Sequence, residues 1–74
     1  MTNQEITQLS ESLPPIIARD KIEELLGGVI RSKTLANYDS LGIGPKGRMR
    51  IGRKVAYRTG DLLEWIANRT VSLQ

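Results

Sequence analysis

The chain has 74 residues, a formal net charge of +3, and neither cysteine nor histidine. That length suits one domain burying only about 60% of its unfolded surface, and the missing residue types exclude disulfides, Cys/His zinc sites, thiol nucleophiles and the commonest general base. Apolar runs fall far short of the roughly 20 residues that span a bilayer and no basic-then-apolar leader opens the chain, so a soluble intracellular protein with no membrane contact is expected.

Residues 1–13 are polar, with Ile6, Leu9 and Leu13 as the only apolar anchors, and read as a flexible N-terminal tail. Pro14-Pro15 closes that tail, and Ile16-Ile17 reads as a short extended lead into a single domain over 14–69. From about Ala18 to Leu26, the spacing of Ile22, Leu25 and Leu26 gives one apolar face, a first helix that Gly27-Gly28 ends. A second helix follows from roughly Ser32 to Leu41, buried through Leu35 and Tyr38 and stopped by Gly42. Its N-cap is Arg31 or Ser32, with Ser32 the chemically better cap.

Gly42 to Gly47 forms a loop. Arg48 to Ile51 and Val55 to Arg58 then alternate with the period of half-buried strands, joined by a turn at Gly52-Arg53-Lys54. This pattern predicts a hairpin with Met49, Ile51, Val55 and Tyr57 facing inward, Arg48, Arg50 and Arg58 facing outward, and Arg53 and Lys54 at the tip. Thr59 reads as the N-cap of a third helix over about Gly60 to Asn68, with Asp61 favoured by the helix dipole and Leu62, Trp65 and Ile66 on its apolar face. Trp65 reads as a core residue. Residues 70–74 form a short C-terminal tail.

Charge is distributed unevenly along this order. Residues 1–30 carry two basic side chains against five acidic ones, whereas residues 31–58 carry eight basic ones against Asp39 alone. A localised positive field attracts polyanions. Helix, glycine-containing turn, helix, basic hairpin and helix together predict an α+β, mostly α fold: a small winged helix-turn-helix of three helices plus a two-stranded β-hairpin wing.

Four stretches in that order carry a resemblance. Ile22-Glu23-Glu24-Leu25-Leu26-Gly27, Lys33-Thr34-Leu35-Ala36-Asn37-Tyr38, Arg50-Ile51-Gly52-Arg53-Lys54-Val55-Ala56-Tyr57 and Asp61-Leu62-Leu63-Glu64-Trp65-Ile66 resemble the excisionase and AlpA-like prophage proteins, which share the winged helix-turn-helix of the MerR superfamily. The resemblance implies a sequence-specific double-stranded DNA-binding protein without enzymatic activity or cofactor. It places Arg31, Ser32, Lys33, Thr34 and Asn37 in the major groove and Arg53 and Lys54 of the wing in the minor groove. Lys46, Arg48, Arg50 and Arg58 are then left for phosphates. The residue types suit these roles, since Arg and Lys donate to guanine, Asn pairs with adenine, and Arg favours a narrow minor groove.

The chain departs from the family in a slightly longer turn at Gly27 to Ile30 and in having Arg31 where a capping serine is usual. It also lacks the long C-terminal helix through which MerR regulators dimerise, so cooperative binding by neighbouring copies is expected. Besides DNA, the implied partners are an integrase or further copies of the chain, and no small-molecule ligand or metal is expected. Two biological roles share this surface, a recombination directionality factor and a transcription regulator. The competing class is a protein-interaction adaptor docking Arg48 to Arg58 on an acidic partner. RNA binding is disfavoured because Tyr38, Tyr57 and Trp65 all sit at apolar-face positions. Catalysis is disfavoured because the acids form no paired arrangement and Gly42 to Gly47 lacks the Lys-Ser/Thr ending of a phosphate loop.

Overall fold

A computed structural model describes residues 3–71 and 73, so the parts of the expected tails at 1–2, 72 and 74 lie outside the described residues. Four α-helices and a three-stranded antiparallel sheet make up the described chain: α1 Asn3–Ser12, β1 Ile16–Ala18, α2 Ile22–Leu25, α3 Ser32–Ser40, β2 Met49–Ile51, β3 Lys54–Arg58 and α4 Thr59–Asn68. A 3-10 turn, Arg19–Lys21, links β1 to α2. None of the helices is long and apolar enough to cross a membrane.

The α+β character matches expectation, but there is one more helix and one more strand than the residue pattern predicts. The first departure is α1, where a frayed tail is expected. Ile6, Leu9 and Leu13 fall at helical spacing, Ile6 and Leu9 are half-buried, and α1 packs on α4 while Leu13 reaches the core. Packing on a neighbour stabilises a helix too short to persist alone.

The second departure is β1. Ile16 and Ile17 are extended as expected, yet they are a true strand, pairing Ile16 with Arg58, Ile17 with Tyr57 and Ala18 with Ala56. β3 is therefore the central strand of the order β1-β3-β2. Because Ala18 belongs to this strand, the first helix is not the continuous Ala18 to Leu26 segment that the apolar spacing suggests. It is a 3-10 turn followed by the single turn of α2, which buries Ile22 fully and leaves Leu25 exposed.

The core gathers Ile17 of β1, Ile22 of α2, Leu35 of α3, Tyr57 of β3 and Leu62 of α4, so each of these five elements contributes one side chain to a common centre. Leu13, Leu26, Ile30, Val55, Trp65 and Ile66 close around them. Thr59 is buried and caps nothing. Its amide donates to the Pro15 carbonyl at 2.9 Å and its hydroxyl donates to the Pro14 carbonyl, fastening the start of α4 to the chain before β1. Arg58 takes the N-cap position of α4 instead, without a side-chain capping bond.

Hairpin register is the correction with the largest consequence. Ile51 pairs with Lys54 and Arg50 with Val55, so the turn has two central residues, Gly52 and Arg53, and excludes Lys54. Gly52 has φ 63°, the left-handed value that the first central position of a type II′ turn requires and that glycine alone adopts without strain. Directly opposed residues share a face of the sheet. Arg50 therefore shares the face of Val55 and Tyr57, not the outer one, while Ile51 leaves the inner set and is 56% exposed. A turn shorter by one residue exchanges the two faces of β2.

Candidate nucleic-acid interface

α3 and the β2–β3 hairpin stand on either side of a groove. One half, about 640 Å³, is lined by Ala36, Asp39 and Ser40 of α3, by Arg48, Met49, Arg50 and Val55, and by Arg19. The other half, about 480 Å³, is lined by Ser32, Asp20, Arg53, Lys54, Val55 and again Arg19. Five basic side chains thus face the concavity against two carboxylates.

Asp39 sets the geometry of its floor. Its carboxylate, only 3% exposed, accepts a hydrogen bond from Arg19 Nη2 at 2.5 Å and another from the Tyr57 hydroxyl, both at Oδ2. Arg48 Nη1 lies 3.7 Å from Oδ1. Arg19 Nε also donates to the Tyr57 hydroxyl at 2.9 Å, which closes a three-residue network linking the 3-10 turn, α3 and β3. A carboxylate shut away from water is tolerated only when its acceptor sites are filled, and here the partners are cationic or phenolic. Gly44 packs against the same group: a β-carbon there would overlap Asp39 Oδ1, so the loop after α3 closes over the carboxylate only because no side chain is present.

Burial works against the charge of the Arg19 guanidinium, but its hydrogen bonds to Tyr57 and Asp39 outweigh this and raise its pKa above the ordinary arginine value. For Tyr57, burial and the hydrogen bond to Asp39 push the phenol up from 10.0 to about 12. Because the folded pKa lies above the unfolded one, the neutral phenol stabilises the fold fully below pH 10 and the contribution fades as pH rises toward 12. Tyr57→Phe is therefore expected to lose less stability between those pH values than the parent chain does. Thermal melts of both proteins across that alkaline range measure this, and parallel pH profiles would show that ionisation of Tyr57 is not coupled to folding.

The sequence-derived contact residues separate into three groups. Lys33 and Asn37 are exposed on the solvent face of α3, one helical turn apart, and Arg50, Arg53 and Lys54 line the groove beside that helix together with Arg48. Arg31, exposed, precedes the first turn of α3 as its N-cap, without a side-chain capping bond. Arg31, Lys33, Arg50 and Arg53 form no ion pair among the described residues.

Ser32 is used internally. Its hydroxyl donates to the Arg19 carbonyl at 2.6 Å and its amide donates to Glu23 Oε1 at 3.0 Å, so a carboxylate from α2 supplies the α3 cap that Ser32 was expected to provide. Thr34 lies on the other flank of α3, in a separate depression with Val29, Tyr38, Trp65, Ile66 and Arg69.

Lys46 lines an adjoining depression with Asp39 and Arg48, and Arg58 falls away from the groove. Lys46 pairs with Glu64 of α4 at 3.7 Å. Arg58 shares the opposite sheet face with Ala56 and lies 4.0 Å from Asp61. Lys54 is paired as well, to Asp20, and its hydrogen bond holds the Asp20 carboxyl below the ordinary range.

Trp65 and Tyr38 are half-buried rather than core residues. Their rings meet edge-on at 5.4 Å, Trp65 Nε1 donates to the Ile43 carbonyl at 2.9 Å, and the Arg69 guanidinium lies 4.1 Å from the Tyr38 ring centre and 4.7 Å from that of Trp65. Sequence reasoning missed Arg19, Ser40 and the hub role of Asp39. For Asp39 a signal existed: it is the only acid in a segment with eight basic residues. Comparison with protein-family models, with curated proteins and with solved structures finds no match, so function must be argued from the charge and geometry of this groove.

Proposed function

We propose that the protein is a sequence-specific double-stranded DNA-binding protein of the winged helix-turn-helix kind, acting as an excisionase or as an AlpA-like transcription regulator. The observation that carries this reading is the groove between α3 and the hairpin, with Arg50 and Arg53, unpaired among the described residues, on its hairpin side and Lys33 and Asn37 on the exposed face of the helix beside it. In duplex DNA a ridge of phosphates separates the major from the minor groove. A helix in one and a hairpin tip in the other must straddle that ridge, and a concavity lined by arginines suits it.

In this arrangement Lys33 and Asn37 read base edges, Arg31 approaches from the start of the helix, and Arg53 enters the minor groove. Arg48 and Arg50 hold phosphates. Ser32 and Thr34 drop out of the contact set, the first because its donors are used within the fold and the second because it lies on the far flank of α3. Lys46 and Arg58 contribute to the general field.

Selection from a pool of random duplexes tests the division of roles. The parent chain is expected to enrich a common motif, and Lys33→Ala to flatten preference at one position by about tenfold, the worth of one good base contact of about 1–3 kcal/mol. Arg50→Ala is expected to weaken all duplexes alike. If instead Arg50→Ala altered the motif and Lys33→Ala did not, the groove geometry would be reversed. Binding to acidic proteins without any duplex binding would favour the adaptor reading.

A further inference from the structure

The two halves of the groove meet at Arg19 and Val55, the two residues common to both. Arg19 therefore lies where these two depressions adjoin. A guanidinium has five N–H donors. Two are engaged, Nε–H with the Tyr57 hydroxyl at 2.9 Å and one on Nη2 with Asp39 at 2.5 Å. The remaining three have no partner among the described residues, the side chain keeps 24% of its surface exposed, and no buried side-chain nitrogen or oxygen lacks a hydrogen bond. The free edge of the guanidinium accordingly opens on the groove.

We propose that Arg19 is a phosphate-binding residue, whose free N–H edge takes two non-bridging oxygens of one backbone phosphodiester of the DNA lying in the groove. This rests on the duplex-DNA reading above and deepens it by naming a further phosphate contact between the helix and the hairpin. Asp39 alone would cancel the charge of Arg19, but Arg48 stands 3.7 Å from its other oxygen, so two guanidiniums share one carboxylate and the floor stays cationic. The paired fork geometry of arginine matches two phosphate oxygens, which a lysine ammonium cannot do. Both hydrogen bonds fix the fork before DNA arrives, as does the bond from Ser32 Oγ to the Arg19 carbonyl. Little side-chain freedom is then lost on binding.

Arg19→Lys separates this role from a purely structural one, because it keeps a cation beside Asp39 and removes the fork. With random-sequence duplex in anisotropy titrations, this variant is expected to bind about 5- to 30-fold more weakly than the parent, with the slope of log affinity against log salt shallower by about 0.9, the value for one phosphate. Tyr57→Phe, which leaves the core filled but releases Nε, is expected to bind about 3-fold more weakly at unchanged slope and decides the matter if Arg19→Lys fails to fold. Parent-like affinity and slope in a folded Arg19→Lys, or parent-like affinity in Tyr57→Phe if Arg19→Lys does not fold, would overturn the assignment of Arg19 while leaving DNA binding intact. Absence of duplex binding by the parent chain would overturn both.

Discussion

Asp39→Ala is expected to lower the melting temperature by roughly 16–32 °C and to leave a large unfolded fraction. Removing one member of a buried ionic pair costs about 3–5 kcal/mol, and the quarter-exposed Arg19 side chain places the cost toward the lower end because water can reach the freed guanidinium. The Tyr57 hydroxyl, fully buried, loses its acceptor in the same substitution and adds about 1 kcal/mol. A domain of this size is stable by only about 4–10 kcal/mol, and each kcal/mol moves its melting point by about 4–8 °C. Asp39→Asn keeps one acceptor oxygen and is expected to cost about half as much. Circular-dichroism melts of the two variants decide this, and a melting point for Asp39→Ala within a few degrees of the parent would mean that the carboxylate does not fasten α3 to the sheet.

The double substitution Arg50→Ala, Arg53→Ala is expected to weaken duplex binding about 100-fold at moderate salt with little change in stability. Neither residue has an ion-pair partner among the described residues and both are exposed, so their removal leaves no orphaned charge. The binding loss has two parts. On the proposed binding mode Arg50, on the sheet face with Val55, would give up a phosphate, and Arg53, at the turn, a minor-groove contact. If both contacts displace counterions, the salt slope falls by about 1.8. Anisotropy titration beside a thermal melt measures both quantities. Equal loss from Lys46→Ala, Arg58→Ala, which removes the same charge outside the groove, would show that net charge alone drives association.

How far the sequence foretold this arrangement differs from element to element. The start of α3 at Ser32 and the position of its end were legible because Leu35 and Tyr38 fall at helical spacing and Gly42 follows them. The hairpin strands were legible from alternation, yet the side to which Arg50 points was not, since it depends on whether the turn holds two residues or three. β1 could be read as extended but not as paired, because its partners lie about 40 residues further along. The Asp39 hub was the least legible feature. An acid on a helix looks alike whether buried or solvated, and its partners Arg19 and Tyr57 stand 20 and 18 positions away. Local pattern thus located α3 and the basic hairpin, while tertiary pairing selected which of their side chains share a groove.

The central claim is that this groove receives the backbone of double-stranded DNA, and the most direct measurement is the affinity of the parent chain for a random-sequence duplex at three salt concentrations. The predicted result is binding that weakens steeply, with a slope of about −4 to −5 for the four to six phosphates such a surface would neutralise. No binding at the lowest salt, or an affinity indifferent to salt, would contradict it.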